Sequence, residues 1–275
     1  MREWWREITG LVLPVACAGC GLPRTELCRP CAAALDGALP RRVRPSPEPA
    51  GLPVVRAAAP YENAVRAVLL AHKERGALGL AGALGRALAG AVRAGEGRLG
   101  DGGPLLLVPV PSARRSTGAR GHDPVRRIAL AAAGELRRDG VPARVLAALR
   151  QRRPVADQAG LGARQRQANL AGALEVVPGG GRLLAGGRVV LVDDLMTTGA
   201  TLAEAARAVR SVLDSPPASP PASPRAFPPA FPRVTPGAAS RAIEPAAARR
   251  GTGPGALCAA VVSASPAAFE INWNC

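Results

Sequence analysis

Val189-Val190-Leu191-Val192-Asp193-Asp194-Leu195-Met196-Thr197-Thr198-Gly199-Ala200-Thr201 is the stretch that decides how this chain folds. Its four consecutive aliphatic residues read as a strand buried on both faces, as the strands of a parallel sheet are. Leu202 to Leu213 then has helical spacing, so strand, turn and helix follow one another without a break. A turn of small residues opening a helix offers backbone N–H groups, the Thr197, Thr198 and Thr201 hydroxyls and the positive end of the helix dipole. Those features together suit a phosphate. Asp193 and Asp194 stand at the strand's carboxyl end, where open α/β sheets bind ligands. Carboxylates repel phosphate, so their work lies with neighbouring groups: accepting hydrogen bonds from sugar hydroxyls, or holding Mg²⁺ directly or through water. A Walker B strand would also end in acids, but it needs G-x-x-x-x-G-K-[ST] elsewhere. Lys73, the one lysine of the chain, lies between His72 and Glu74, which excludes that reading.

The stretch closely resembles the phosphoribosyl pyrophosphate (PRPP) motif of type I phosphoribosyltransferases. The resemblance implies that Asp193 and Asp194 bind the ribose 2′- and 3′-hydroxyls. It also implies that Thr197, Thr198, Gly199, Ala200 and Thr201 wrap the 5′-phosphate.

Composition sets the frame around this motif. The 275 residues suffice for one domain of roughly 150–200 residues plus additions. Hydrophobic residues make up 48% of the chain and aromatics only 3%, so the core must be packed from Ala, Val and Leu. A net charge of +16 invites a polyanion such as nucleic acid. Nearly all the basic residues are Arg, however, and Ala, Gly and Pro are abundant too, as GC-rich codons would give. Base-stacking platforms also want interleaved aromatics, and no Phe, Trp or Tyr occurs between Tyr61 and Phe227. No segment approaches the ~20 apolar residues of a membrane span. Ile8 to Ala16 before Cys17 has some likeness to an export signal, but Glu3, Glu7 and Trp4-Trp5 do not suit one. An amphipathic N-terminal helix and a cytoplasmic location are expected.

Cys17-x-x-Cys20 and Cys28-x-x-Cys31 bring four thiols into a short segment. Each C-x-x-C turn lets two sulfurs reach one metal, and two turns complete a tetrahedral Cys₄ shell. A structural Zn²⁺ is expected, and it would supply most of the folding energy of so small a unit. Disulfides or a redox pair are the alternative, though cytosolic chains rarely keep disulfides. Cys258 lies in an apolar run and reads as a buried hydrophobe; Cys275 receives no role.

The remaining pieces follow in order. Pro40 to Pro53 reads as a linker, and Val54 to Ala59 as a strand. A helix begins at Glu62 and ends near His72-Lys73-Glu74-Arg75, with Gly76 at its C-terminal turn; a second helix is expected over Leu78 to Val92. Leu105 to Pro111 is a buried strand ending in prolines that stop pairing. The loop beyond it carries Arg114, Arg115 and Arg120, whose forked guanidinium groups match pyrophosphate oxygens, or which form a solvated basic loop. Asp123 to Arg138 reads as a helix with Pro124 in its first turn, and Val141 to Leu149 as a strand. Arg150 to Asn169 shows no period and reads as a long loop. Ala173 to Val177 is a strand and Gly179-Gly180-Gly181 a turn. The Pro/Ala-rich stretch 214–255 reads as a disordered insertion, and Leu257 to Ser263 as a strand that rejoins the sheet. His72 and His122, the chain's two histidines, have no evident carboxylate partner.

Taken together, these pieces look like the ComF family, competence-associated proteins with an N-terminal zinc knuckle and a type I phosphoribosyltransferase domain. The shared features are the cysteine pairs, Lys73-Glu74-Arg75-Gly76, Val108-Pro109-Val110-Pro111, Arg120-Gly121, the spaced set Gln158, Leu161, Arg166 and Asn169, and the PRPP loop. The chain departs from the family at Arg120-Gly121-His122-Asp123-Pro124, where the usual pattern is R-G-F-N-Q, and in its Pro-rich insertion. The resemblance implies an α/β fold of the type I phosphoribosyltransferase kind, a mostly parallel sheet flanked by helices, with a Cys₄ knuckle. The expected organisation is a helix and knuckle over 1–36, a linker over 37–53 and the main domain over 54–275. The implied reaction is displacement of pyrophosphate from C1 of PRPP by an unidentified acceptor, with Mg²⁺ and the pyrophosphate candidates Lys73, Arg114 and Arg115 stabilising the leaving group. A PRPP-binding accessory protein that contacts single-stranded DNA or competence proteins is the alternative.

Overall fold

The structure, a computed structural model, describes residues 15–97, 103–112, 122–153, 163–214 and 257–269. After the cysteine segment come helix α1 (Arg29–Asp36), strands β1 (Arg41–Val43) and β2 (Val54–Pro60), and helix α2 (Asn63–Glu74). A 3₁₀ turn at Leu78–Leu80 leads into α3 (Ala81–Glu96). Strand β3 (Leu105–Pro109), helix α4 (Pro124–Arg138), strands β4 (Ala143–Val145) and β5 (Leu149–Gln151), and helix α5 (Ala163–Leu170) follow. The chain continues through β6 (Leu174–Val176), α6 (Gly180–Leu184), β7 (Arg188–Met196), α7 (Ala200–Leu213) and β8 (Cys258–Ala264).

Six strands form one sheet in the order β1-β2-β8-β7-β3-β4, parallel throughout except for β1, which runs antiparallel to β2 at the edge. The opening stretch lies at its centre: Val190 is in register with Leu107 on one side and Cys258 on the other. Strand alternation divides the apolar run between two layers. Val190 and Val192 join Leu105, Leu107, Ala260 and Val262 under α2, α3 and α4. Val189 and Leu191 join Leu106, Val108, Ala259 and Val261 under α7. Both faces are covered, which explains why the run is continuous rather than alternating. The small core residues set the helix spacing: a Cβ added at Gly85 on α3 would lie 2.5 Å from Ala131 Cβ on α4. Cys258 is buried in the first layer, and burial pushes its thiol up to about 12 against the pull of Arg56 and Arg188. Among the described residues, no helix is long and apolar enough to cross a membrane.

Four stretches differ from the sequence reading. Val141 to Leu149 is not one strand: β4 pairs with β3, Ala148 N donates to Leu146 O in a tight turn, and β5 leaves to pair with β6 in a separate antiparallel ribbon. Residues 163–170, expected as loop, form α5, anchored by the buried Leu170. The Gly179 turn, at φ +78°, starts the short helix α6. Within 37–53, expected as a linker, residues 41–43 pair with β2 as edge strand β1. The N-terminal helix, the loop holding Arg114, Arg115, Arg120 and Gly121, residues Gln158 and Leu161, Cys275 and nearly all of the 214–255 insertion lie outside the described residues.

Candidate functional site

Topology fixes where a ligand can enter. Strand β3 is followed by α4 on the first face of the sheet, and its neighbour β7 by α7 on the second. Two adjacent parallel strands whose connections leave in opposite directions open a crevice at their carboxyl ends. Asp193, Asp194 and the turn Thr197–Gly199 lie at that crevice because they continue β7.

The alternation that buries Val190 and Val192 under α2 carries Asp194 to the same side, and Asp193 to the side of α7. Asp194 meets Lys73 from the last turn of α2, with Nζ 2.8 Å from Oδ2; the side chains are 33% and 6% exposed respectively. The Asp194 backbone N–H donates to Asp193 Oδ1 at 2.8 Å. Burial, reinforced by the charge of Asp194, raises the Asp193 carboxyl well above the ordinary carboxylate range, and Lys73 only partly offsets this. The acidic pair is therefore unequal: one member is paired with a cation, and the other is poised to hold a proton or to gain from a hydrogen-bond donor.

The turn beyond it is shaped for close approach. Gly199 adopts φ +73° and immediately precedes α7, which has no side-chain cap on its first N–H groups. Those amides are the ones an anion at a helix N-terminus uses. Thr197 is exposed, Thr198 and Thr201 are half-buried, and Gly199 and Ala200 are buried. A Cβ added at Gly199 would stand 3.1 Å from Leu52 Cδ2 and 3.2 Å from Pro45 Cγ, so the segment after β1 backs the turn. Gly199→Ala is expected to cost about 1–2 kcal/mol through its left-handed backbone alone and to weaken binding of a phosphorylated ligand. Urea unfolding and calorimetry with PRPP check the two effects; unchanged affinity removes this turn from the site.

Of the remaining candidates, Lys73 reaches the acidic pair, whereas Arg114 and Arg115 lie outside the described residues. His72 is enclosed and cannot meet a ligand, which removes it as a general base. His122 lies edge-on to it, with ring centroids 6.1 Å apart. Sequence reasoning missed the backing of Gly199 by Pro45 and Leu52. It also missed a clamp on α7: buried Glu204 accepts from Leu174 N at 3.0 Å, and Arg207 binds both its carboxylate oxygens at 2.8 Å. Burial opposes ionisation of Glu204, but the hydrogen bonds from Arg207 and Leu174 prevail and hold its pKa below the usual value. The clamp ties the β5–β6 ribbon to the helix that starts at the turn of Thr197 to Gly199. Its only sequence signal was a Glu–Arg pair spaced i, i+3.

The four knuckle cysteines converge, with their sulfurs all within 4.8 Å of one another. Cys28 Sγ lies 3.6 Å from both Cys17 Sγ and Cys20 Sγ. Sulfurs about 2.3 Å from a common tetrahedral zinc would be roughly 3.8 Å apart, whereas a disulfide needs about 2.0 Å. The donor set could thus hold a metal such as zinc. Burial opposes ionisation of Cys17, but the Cys28, Cys20 and Gly19 amides overcome it and bring the thiol down to about 6. Burial and the neighbouring sulfurs push Cys31 the other way. Such a set gives up its first proton easily and its last only to a metal. Gly19 has no room for a side chain, since a Cβ there would lie 2.7 Å from Cys31 Sγ and 3.2 Å from Ala64 on α2.

Comparison with known proteins finds no family model and no curated protein that matches the chain.

Proposed function

We propose that the chain binds PRPP at the β3–β7 crevice and transfers its phosphoribosyl group to an acceptor, as a type I phosphoribosyltransferase of the ComF kind. The observation that carries this reading is the meeting of Lys73 Nζ with Asp194 Oδ2 at 2.8 Å, directly before an uncapped helix N-terminus. A cation, two carboxylates and helix N-terminal amides without a side-chain cap are thereby gathered at one crevice, groups that suit a diphosphorylated, 5′-phosphorylated ribose. In this reading the amides and hydroxyls of Thr197 to Thr201 hold the 5′-phosphate. Asp193 and Asp194 accept from the ribose hydroxyls, and Lys73 turns from Asp194 to the pyrophosphate. Mg²⁺ bound with PRPP would be held by the same carboxylates and would supply charge neutralisation to the leaving group. The C1–O bond breaks with its electron pair leaving on pyrophosphate, the acceptor bonds to C1, and the acceptor's proton is released. Lys73, once turned to the pyrophosphate, would stabilise the negative charge that grows there.

The test is incubation with PRPP, Mg²⁺ and a panel of nucleobases and amines, following pyrophosphate release. Release with a single acceptor names the substrate. PRPP binding without release by any acceptor favours the second reading, a cytoplasmic PRPP-binding accessory protein handling single-stranded DNA. That reading draws on the +16 charge and on exposed Arg150, Arg152 and Arg153 along the ribbon. Absence of PRPP binding rejects both.

A further inference from the structure

His72 is a buried titratable group to which the proposed chemistry gives no task. Its side chain is 1% exposed. Nδ1 lies 3.2 Å from Ala77 O, in the turn after α2, and Nε2 lies 3.5 Å from Pro124 O, at the start of α4. Burial holds the imidazole pKa below its ordinary value, outweighing the two carbonyls and Asp194, which favour the cation, while His122 acts in the same direction as burial. A neutral imidazole carries one N–H, and both groups facing it are acceptors, so it donates to one of them. The 3.2 Å contact is the closer to an ordinary hydrogen-bond length, which assigns the proton to Nδ1 and the bond to Ala77 O.

The next residue is Lys73. A lysine side chain is long and has about 2 kcal/mol of rotamer entropy to lose, so holding its ammonium at one oxygen requires a fixed helix end beneath it. Last turns of helices otherwise fray. Ala77 N donates to Ala71 O at 3.1 Å and His72 donates back to Ala77 O, so the turn 75–77 is folded onto the final turn of α2 from both sides. We infer that His72 is a positioning residue, which fixes the last turn of α2 through Ala77 O and thereby keeps Lys73 Nζ against Asp194. Its effect on ligand affinity rests on the PRPP reading; its effect on Lys73 does not.

Because Lys73 is the one lysine, full-length protein grown with ¹³C,¹⁵N-lysine gives a single side-chain Cε/Nζ signal. Asp194→Asn supplies the reference position for a lysine without its partner, and a wild-type signal identical to it overturns the inference at once. His72→Asn keeps a donor near Nδ1, His72→Gln moves it to the place of Nε2, and His72→Phe keeps a ring with no donor. The expected result is a wild-type lysine signal in the Asn variant. In the Gln and Phe variants the signal should move toward the Asp194→Asn position, with PRPP affinity about tenfold weaker. If His72 only fills the core, all three variants melt earlier while the lysine signal stays in place, and the inference falls. Should the Phe variant not fold, the Asn and Gln variants decide alone, because equal signals in the two overturn it. If wild-type protein binds no PRPP, the proposed function fails, yet the lysine signal still decides the role of His72.

Discussion

Replacing Asp193 and Asp194 together with Asn is expected to weaken PRPP binding roughly a thousandfold, beyond calorimetric detection, since each hydroxyl-to-carboxylate hydrogen bond contributes about 1.5–3 kcal/mol. The single variants should diverge in stability. Asp194→Asn strands Lys73 beside an uncharged group and should destabilise the protein by about 1–2 kcal/mol, less than for a fully buried pair because Lys73 is partly exposed. Asp193→Asn should stabilise it. The folded-state pKa of Asp193 is raised by burial and by Asp194, so the contribution of its carboxyl to stability is complete below the unfolded value of about 3.9 and is lost as pH rises through the folded value. An Asn there never ionises. Melting temperatures from pH 4 to pH 8 should show the Asp193→Asn variant gaining on the wild type as pH rises, with little difference at the acid end. A variant less stable than the wild type throughout that range would show that Asp193 is a structural carboxylate rather than one held under strain for a ligand.

Removing two knuckle thiols by Cys17→Ser and Cys20→Ser is expected to release one zinc per chain and to loosen residues 15 to 36 while the main sheet stays folded. The knuckle cluster consists of Cys17, Cys28 and Cys31 with Leu27 and Ala64 packed against it, too little apolar surface to hold its shape unaided. Structural zinc contributes apparent binding free energies of about 10–16 kcal/mol in comparable small units, so the loss should be complete rather than graded. Elemental analysis of the purified protein and hydrogen exchange over residues 15–36 are the measurements. Protein that carries no metal, or a double variant whose amides remain as protected as before, refutes the assignment. Loading should also weaken as pH falls, because protons compete for the four sulfurs.

How much of this was legible in the sequence depends on where each feature gets its stabilisation. Strand β7 could be read because both its neighbours bury it, and an unbroken Val-Val-Leu-Val run records that burial directly. Helix α4 could be read because Asp123 and Pro124 mark its start, and Asp123 does accept from Arg126 N at 3.0 Å. The four cysteines announce their own convergence through spacing. Strands β4 and β5 could not be separated, because three residues carry no period and their pairing partners are distant in sequence, whereas β6 falls inside the strand read over Ala173 to Val177. Helix α5 escaped because its sequence is polar and Leu170 is its main anchor. At the site, the acidic pair and the turn were visible as types, but the inequality of Asp193 and Asp194 was not. It arises from the burial of Asp193 and from Lys73 on α2, which pairs with Asp194, and no local pattern encodes either.

The direction of α7 has a consequence for the chain's evolutionary latitude. The helix begins at the crevice and runs for 14 residues, about 21 Å, toward the opposite pole of the sheet. There the described chain stops at Asp214 and resumes at Leu257, one residue before Cys258 takes its place between Val54 and Val190. Both anchor points are therefore remote from the β3–β7 crevice, and lengthening a loop between fixed ends costs only about 0.6 kcal/mol per doubling. Codon drift could lengthen or shorten the proline-laden sequence between them without moving either end toward Asp193, Asp194 or the turn of Thr197 to Gly199.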